Sequence, residues 1–326
     1  MTIDQVNFQK DKALLVDIGG TNIRTCKAVV GSNELIEPYK ETLSSLSALD
    51  NRIQRFLDVD PCIKHLVFSI AGPKLHTSIS MTNRDFTIEE AKTLKKFNIE
   101  SCHILNDWES IGHSFSLYSD QEKEYINTGE AFNNTALVIG PGTGLGAALV
   151  VNDDIILPTE IGNCSLSLQS LMIDQGLNDS TAFKVVEDLI SGGGLARIYH
   201  HFSGKKMSPE KILQLHDQDE AAKRSIDCFL SSLSQILSEL ALTYMPGKGI
   251  YLAGSLMRSL YGHLEQDKFL DNFLINRKEM HAEILKSMPI ALIKKEMTCL
   301  HGNLNFINKL SPVSYTHLTL PTIYSV

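Results

Sequence analysis

A strand, a glycine-rich turn and a return strand occur twice in this chain, and this repeat limits the fold more than any other feature. The first copy spans 13–30 and turns at Gly19-Gly20-Thr21-Asn22, and the second spans 135–151 and turns at 140–146. The second Gly-Thr pair follows the first by 122 positions. Self-similarity at this scale predicts two related domains in a chain of 326 residues.

Apolar β-rich runs and helical patterns alternate along the rest of the chain. Further strands are predicted at 65–70, 103–105 and 249–253, and helical spacing at 88–97 and over most of 183–240. This alternation predicts an α/β fold with mostly parallel sheets in both halves.

The predicted domain boundaries follow from the repeat. We expect a small α/β domain over 1–110, completed by about 300–312, and a large α/β domain over 111–299. Val313 to Thr322 resembles the translation of a transposase sequencing adapter read in frame, so 313–326 is interpreted as a non-native tail. A native disordered tail is the alternative.

The composition excludes several classes of partner. The formal net charge is −8, whereas a nucleic-acid-binding protein needs a concentrated basic face that displaces counterions. No run approaches the roughly 18 apolar residues of a membrane helix, and the polar N-terminus lacks the apolar stretch of a secretory signal. Six cysteines stand singly, without the paired spacing of a zinc site. We therefore expect a cytoplasmic protein that binds neither nucleic acid nor membrane.

The two glycine turns are candidate phosphate-binding loops. Glycines let backbone N–H groups approach an anion closely, and a carboxylate such as Asp17 at a strand end can hold a hydrated Mg²⁺. An ordinary hairpin turn is the alternative for the first loop alone. The second loop, with Gly142, Thr143 and Gly144, favours a pair of loops that clamp a triphosphate between two domains. Neither the P-loop nor the dinucleotide-binding spacing of glycines occurs, so a Rossmann dehydrogenase is not expected.

Carboxylates and amides elsewhere are candidates for binding and activating a sugar. Asn106 and Asp107 follow a predicted buried strand, where ligands of α/β folds collect, and Asp107 could accept a proton from a hydroxyl. A helix cap is the alternative for this pair. Glu160 and Glu187 could bind sugar hydroxyls, although glutamates are usually solvated surface groups. Interpreting these two as a glycosidase pair would leave both glycine loops unexplained.

Taken in order, six segments resemble bacterial ATP-dependent glucokinases, which are hexokinase relatives on the actin-like ATPase fold. These segments are LLVDIGGTNIR, HILNDW, IGPGTGLGAALV, EIGN, VEDLISGGGLARIY and YLAGS, and the match extends from about Ala13 to Leu310. The resemblance implies two actin-like (RNase H-like) α/β domains that flank a central cleft. It also implies ATP-dependent phosphorylation of glucose to glucose 6-phosphate, with Mg²⁺ as cofactor and a homodimer as assembly.

The resemblance assigns a role to each matching position. It implies that Asp107 is the catalytic base. It also implies that Asp17 lies near Mg²⁺, with water between its carboxylate and the ion. The nucleotide-binding positions that it implies are Asp17, Gly19, Gly20, Thr21, Asn22, Gly142, Thr143, Gly144 and Gly254. The sugar-binding positions that it implies are Asn83, Asn106, Asp107, Glu160, Asn163 and Glu187.

Two departures from the family pattern bear on specificity. Asn163 stands where the family usually has histidine, and Ser255 stands where the adenosine turn commonly has a second glycine. A kinase for another hexose or an N-acetylhexosamine, or a catalytically weak sugar-binding paralogue, is therefore the alternative. A sugar-sensing repressor of the related group is not expected, because the first glycine loop leaves no room for an N-terminal winged helix.

Overall fold

The computed structural model describes residues 11–19, 22–42, 45–81, 87–166, 168–177 and 181–311. The candidate residues Gly20, Thr21 and Asn83 and the tail at 313–326 lie outside the described residues.

Among the described residues, the strands are β1 (Lys12–Ile18), β2 (Asn22–Val29), β3 (Ile36–Thr42), β4 (Ile63–Ile70), β5 (Lys74–Leu75), β6 (Ser78–Ser80), β7 (Thr87–Glu89), β8 (Ser101–Asn106), β9 (Lys123–Asn127), β10 (Thr135–Pro141), β11 (Leu145–Val151), β12 (Ile155–Thr159), β13 (Gly249–Leu252) and β14 (Ile290–Ile293). The helices are α1 (Leu46–Val59), α2 (Glu90–Phe97), α3 (Asp107–Ser114), α4 (Leu168–Asp174), α5 (Val186–Leu189), α6 (Gly192–Ser203), α7 (Pro209–Gln214), α8 (Glu220–Tyr244), α9 (Ser255–Tyr261), α10 (Gln266–Leu274), α11 (Glu279–Ser287) and α12 (Thr298–Leu310).

The first sheet has the strand order β3-β2-β1-β4-β8. Strands β1, β2 and β3 pair antiparallel, whereas β1, β4 and β8 are parallel. Because the parallel strands point the same way, Ile18, Ile70 and Asn106 lie level at one edge of the sheet. This edge carries the first glycine turn and the start of α3.

The second sheet repeats this arrangement in the order β12-β11-β10-β13-β14, with β9 added at its edge. Strands β10, β11 and β12 again pair antiparallel, and β10, β13 and β14 are parallel. The repeat predicted from the glycine turns is therefore present in the structure. The expectation of mostly parallel sheets is wrong, because each sheet begins with an antiparallel meander of three strands. A small third sheet, β5-β6-β7, is antiparallel.

Two helices pack on each other and on different sheets. Leu300, Leu304 and Ile307 of α12 pack with buried residues of β1, β2 and β4. Ile111 of α3 and Phe115, directly after it, pack with buried residues of β10, β11 and β13. The helices cross closely at Gly302, where an added Cβ would collide with the backbone of Ser110. The pair α3 and α12 therefore connects the two sheets.

The remaining helices build the outer cores. Helix α8 is the longest, at 25 residues, and begins where Asp219 Oδ1 accepts from the Ala221 N–H at 2.8 Å. Its buried positions Ile226, Phe229 and Leu233 recur at helical spacing and join the core beneath the second sheet. Helices α1 and α2 cover the outer face of the first sheet. In the described part of the chain, no helix is both long and apolar enough to cross a membrane.

The predicted domain boundaries remain a prediction. The strands of the first sheet come from 12–106, and those of the second come from 123–293. Helix α12, at the end of the described chain, packs on the first sheet.

Candidate active site

The first candidate region lies at the carboxyl end of β1, where Asp17 precedes the first glycine turn. Asp17 lies opposite Arg24 on β2 and Ser69 on β4, so the three side chains form one row across the sheet. Arg24 Nη1 donates to Asp17 Oδ2 at 2.8 Å, and Ser69 Oγ donates to Oδ1 at 3.2 Å. Asp17 is only 4% exposed, and these two donors compensate for the water that its carboxylate loses.

The surroundings of Asp17 fit a hydrated Mg²⁺. Each carboxylate oxygen has two lone pairs and accepts one hydrogen bond here, which leaves acceptor positions for metal-bound water. Magnesium prefers oxygen ligands and usually keeps several of its waters. The turn itself is closed by the Gly19 N–H, which donates to the Asn22 carbonyl oxygen at 2.9 Å.

Asn106 caps helix α3. Its Oδ1 accepts from the N–H groups of Trp108 at 2.8 Å and Glu109 at 3.3 Å, while Glu109 Oε2 accepts from the Asn106 N–H at 3.1 Å. Its Nδ2 donates to the Gly72 carbonyl oxygen at 2.9 Å. The helix-cap interpretation is therefore confirmed. A sugar contact from Asn106 would have to use the second hydrogen of its amide nitrogen.

Asp107, the first residue of α3, is the most perturbed carboxyl group of the candidate set. Loss of surrounding water raises the pKa of Asp107 to about 7, and the charges of Asp17 and Glu160 add to this rise. Its Oδ1 accepts from the Trp108 N–H at 3.0 Å, which opposes the rise. A carboxyl group that ionises near neutrality is suited to accept a proton during a reaction.

The second glycine turn lies between β10 and β11 and presents Gly142 and Thr143 to solvent. The Gly142 N–H donates to the Gly144 carbonyl oxygen at 2.7 Å, which closes the turn. The Gly142 carbonyl oxygen accepts from the Gly192 N–H at 2.9 Å, so the turn rests on the N-terminus of α6. Because α6 has twelve residues and its first N–H groups carry partial positive charge, this contact favours an anion at the turn.

Trp108 connects Asp107 to this second turn. Its indole packs on the paired glycines Gly140 and Gly146, where an added Cβ on Gly146 would collide with the ring. The residue after the candidate base therefore lies directly against the strands that carry the candidate phosphate loop.

Glu187 and Glu160 lie beside the same loop. Glu187 Oε2 accepts from the Leu145 N–H at 3.3 Å, and an added Cβ on Gly162 would lie 3.1 Å from this oxygen. Loss of water raises the pKa of Glu160, and the neighbouring charge of Glu187 raises it further. Asn163 is exposed, and its N–H donates to the Glu160 carbonyl oxygen at 3.0 Å. The carboxylates predicted to bind a sugar are thus neighbours.

Gly254 follows β13 and lies against the second hairpin. Its φ of 102° is a conformation that favours glycine, and an added Cβ would lie 3.3 Å from the Pro141 carbonyl oxygen. Ser255 begins α9 directly after it. The candidate adenosine position and the candidate phosphate loop are therefore adjacent.

Sequence reasoning did not identify several residues of this region. Arg24 and Ser69 bind Asp17, and Trp108 packs on the second hairpin. The Cys299 Sγ lies 3.7 Å from the Asp107 carbonyl oxygen, and burial together with the charges of Asp17 and Asp107 raises its pKa. Arg24 and Trp108 stand within the motifs LLVDIGGTNIR and HILNDW, so the sequence alone could have identified them. The contacts of Ser69 and Cys299 depend on strand register and helix packing.

The comparison with protein families decides the family of this chain. A family model for glucokinase matches residues 14–310. The chain belongs to the glucokinase family. Among curated relatives of this family, the glucokinase of Campylobacter jejuni subsp. doylei is 29% identical over 294 residues, which cover 84% of this chain and 87% of that protein.

Solved structures share the fold of this chain. The glucokinase from an Antarctic psychrotroph has a TM-score of 0.77 to this chain at 22% identity, covering 92% of this chain and 100% of that one. The ROK family glucokinase from Streptomyces griseus, solved in complex with glucose and AMPPNP, has a TM-score of 0.65 at 14% identity and covers 90% and 98% of the two chains. The predicted actin-like fold is confirmed by these similarities.

Proposed function

We propose that this member of the glucokinase family transfers the γ-phosphate of ATP to the 6-hydroxyl of glucose. The observation that carries the proposal is the position of Asp107, whose pKa is raised to about 7. The charge of Asp17, which lies on β1 just before the first glycine turn, contributes to this rise of the pKa. Trp108, the residue after Asp107, packs on the second hairpin. A proton acceptor tuned near neutrality between two phosphate-sized turns suits phosphoryl transfer to a hydroxyl.

The nucleotide would lie along the two turns. The N–H groups of Thr143 and Gly144, next to the N-terminus of α6, would bind the phosphates, and Gly254 would lie under the adenosine. The Gly142 N–H closes the turn on the Gly144 carbonyl oxygen, so Gly142 would shape the loop rather than donate to a phosphate. Asp17 would hold Mg²⁺ through water, and the ion would neutralise charge on the phosphates. The AMPPNP bound by the Streptomyces griseus protein supports ATP as the donor.

The sugar would bind beside Glu187 and Glu160, with Asn106 and Asn163 contributing amide groups. Asp107 would then accept the proton of the attacking hydroxyl as its oxygen approaches the γ-phosphorus. Since transition states of this reaction are loose, alignment by the two turns contributes more than covalent assistance. The product, glucose 6-phosphate, would enter glycolysis at its first step in the cytoplasm.

The test is an ADP-release assay with MgATP and a panel of glucose, mannose, fructose, N-acetylglucosamine and N-acetylmannosamine. We expect the highest kcat/KM for glucose. Glu187→Gln should raise KM for the sugar at least tenfold, whereas Glu210→Gln, an exposed glutamate of α7, should leave it unchanged. No ADP release with any sugar would refute the proposal.

A kinase for another hexose or an N-acetylhexosamine is the second candidate. The exposed Asn163 favours it, because asparagine is shorter than the usual histidine and leaves room beside Glu160. A higher kcat/KM for another sugar of the panel would select this candidate. Sugar binding by calorimetry without ADP release would indicate a catalytically weak paralogue.

A further inference from the structure

A series of buried, hydrogen-bonded side chains connects Asp17 to the helix pair α3 and α12. Ser69 Oγ, which donates to Asp17, lies 3.2 Å from Asn303 Nδ2 on α12. Ser110 Oγ on α3 lies 2.8 Å from Asn303 Oδ1 and 2.7 Å from the Cys299 carbonyl oxygen of α12, so these two acceptors share its one hydrogen. Ser69, Asn303 and Ser110 have no exposure to solvent, so water cannot replace these hydrogen bonds.

Asn303 determines which groups donate and which accept in this series of hydrogen bonds. Its Nδ2 also lies 3.4 Å from the carbonyl oxygens of Val16 and Val67, which only an amide nitrogen can face without repulsion. Oδ1 therefore faces Ser110, and Ser69 Oγ accepts from Nδ2. The hydrogen of Ser69 is then left for Asp17 Oδ1, or for the more distant Val16 carbonyl oxygen at 3.5 Å.

Asn303 is a polar residue within an otherwise apolar contact. Its neighbours Leu300, Leu304 and Ile307 pack on the first sheet, and burying an amide among them is unfavourable unless its polar atoms are bonded. Its partners belong to β1, β4 and α3. Ser110 lies one turn after Asp107 on α3.

We propose that Asn303 is a positioning residue of the phosphoryl-transfer site. It orients the Asp17 carboxylate through Ser69, and, together with the Cys299 carbonyl oxygen, it accepts from Ser110 on the helix that carries Asp107. This inference rests on the proposed function, because that function gives Asp17 its contact with the hydrated Mg²⁺ of the nucleotide.

The test compares Asn303→Ala with Asn305→Ala. Asn305 also ties α12 to α3, through Nδ2 to the His113 carbonyl oxygen at 2.6 Å and to Ser116 Oγ at 3.2 Å, but these contacts do not lead to Asp17. Asn303→Ala should weaken Mg²⁺-dependent AMPPNP binding, measured by calorimetry with and without Mg²⁺, by about 10-fold, the lower end of the loss seen for outer partners of a metal ligand, because Asn303 acts through Ser69 and Asp17 would hold the ion through water. Asn305→Ala should lower Tm and leave this Mg²⁺ dependence unchanged.

A double-mutant cycle separates positioning from general destabilisation. Ser69→Ala should weaken Mg²⁺-dependent binding as Asn303→Ala does, and the double variant should lose little more, because both act through one path. Equal Mg²⁺ dependence in Asn303→Ala and Asn305→Ala would overturn the inference. If Asn303→Ala does not fold, unchanged binding in Ser69→Ala overturns it instead.

These binding measurements need no turnover. A wild-type protein that binds MgAMPPNP but phosphorylates no sugar would refute the proposed function, and the calorimetric comparison would still decide the role of Asn303.

Discussion

Asp107→Asn should stabilise the protein at high pH while it removes activity. The substitution keeps the shape of the side chain and an oxygen for the Trp108 N–H, but it removes a charge that the site disfavours. The pKa of Asp107 rises from 3.8 to about 7 on folding, first because water is lost and then because of Asp17. The folded state therefore holds this proton more tightly than the unfolded state.

The direction of the pH dependence follows from this difference. Between the two pKa values the folded wild type binds more protons than the unfolded chain, so its stability falls as pH rises towards 7. From pH 5 to pH 8 this effect amounts to roughly 3 kcal/mol, because each pKa unit corresponds to about 1.4 kcal/mol. The variant lacks this dependence. The free energy of unfolding of Asp107→Asn, relative to wild type, should therefore rise by that amount between pH 5 and pH 8.

Chemical denaturation of both proteins at the two pH values measures this effect. Every other titrating group is common to both proteins, so the difference between them reports position 107 together with its interactions with Asp17 and Glu160. Asp267→Asn, an exposed position on α10, is the matched control and should show no such change with pH. Activity of Asp107→Asn should fall at least about 100-fold, as expected for loss of a general base. A stability difference that is the same at pH 5 and pH 8 would refute the reasoning.

Three further predictions concern the same region. The kcat/KM of the wild type for sugar should decline as pH falls through about 7, because Asp107 must be ionised to accept a proton, and a pH–rate profile that stays flat from pH 8 to pH 6 would contradict this. Gly144→Ala should raise KM for sugar more than KM for ATP in steady-state kinetics, because the new Cβ would displace the Glu187 carboxylate from its place. Ser191→Ala should lower the free energy of unfolding by about 1 kcal/mol in denaturant titration, because Ser191 Oγ caps α6 by accepting from the Gly194 N–H at 3.0 Å.

The sequence was informative wherever a local pattern carries the structure. The strands β1 and β10 follow apolar β-rich runs, and α7 begins at Pro209 after the capping residue Ser208, a pattern typical of helix starts. The pattern failed for β3 and β12, which are exposed edge strands with a proline each and no alternation of apolar residues. Their antiparallel pairing, together with that of β9 on β14, is the reason that the sheets are not mostly parallel.

The candidate site was predictable to the extent that its residues stand in motifs. Four carboxylates could be proposed as site residues because each stands close in sequence to a recognisable strand end, turn or glycine run: Asp17, Asp107, Glu160 and Glu187. The partners of Asp17 could not, since Ser69 reaches it only through strand register. Asn303 is separated from Ser69 by 234 positions, and its contact arises from the packing of α12, which no local pattern encodes.

The indole of Trp108 packs on the paired glycines of the second hairpin, so the residue next to Asp107 is in direct contact with the strands that carry the second glycine turn. We expect a displacement of the second hairpin at these glycines to move Trp108 and, with it, the neighbouring Asp107. If the proposed function is correct, the spacing between Asp107 and the candidate phosphate loop is set when the chain folds, and ligand binding need not create it. Substitutions that loosen the packing of Trp108 on these glycines should therefore impair turnover more often than they abolish binding of either substrate.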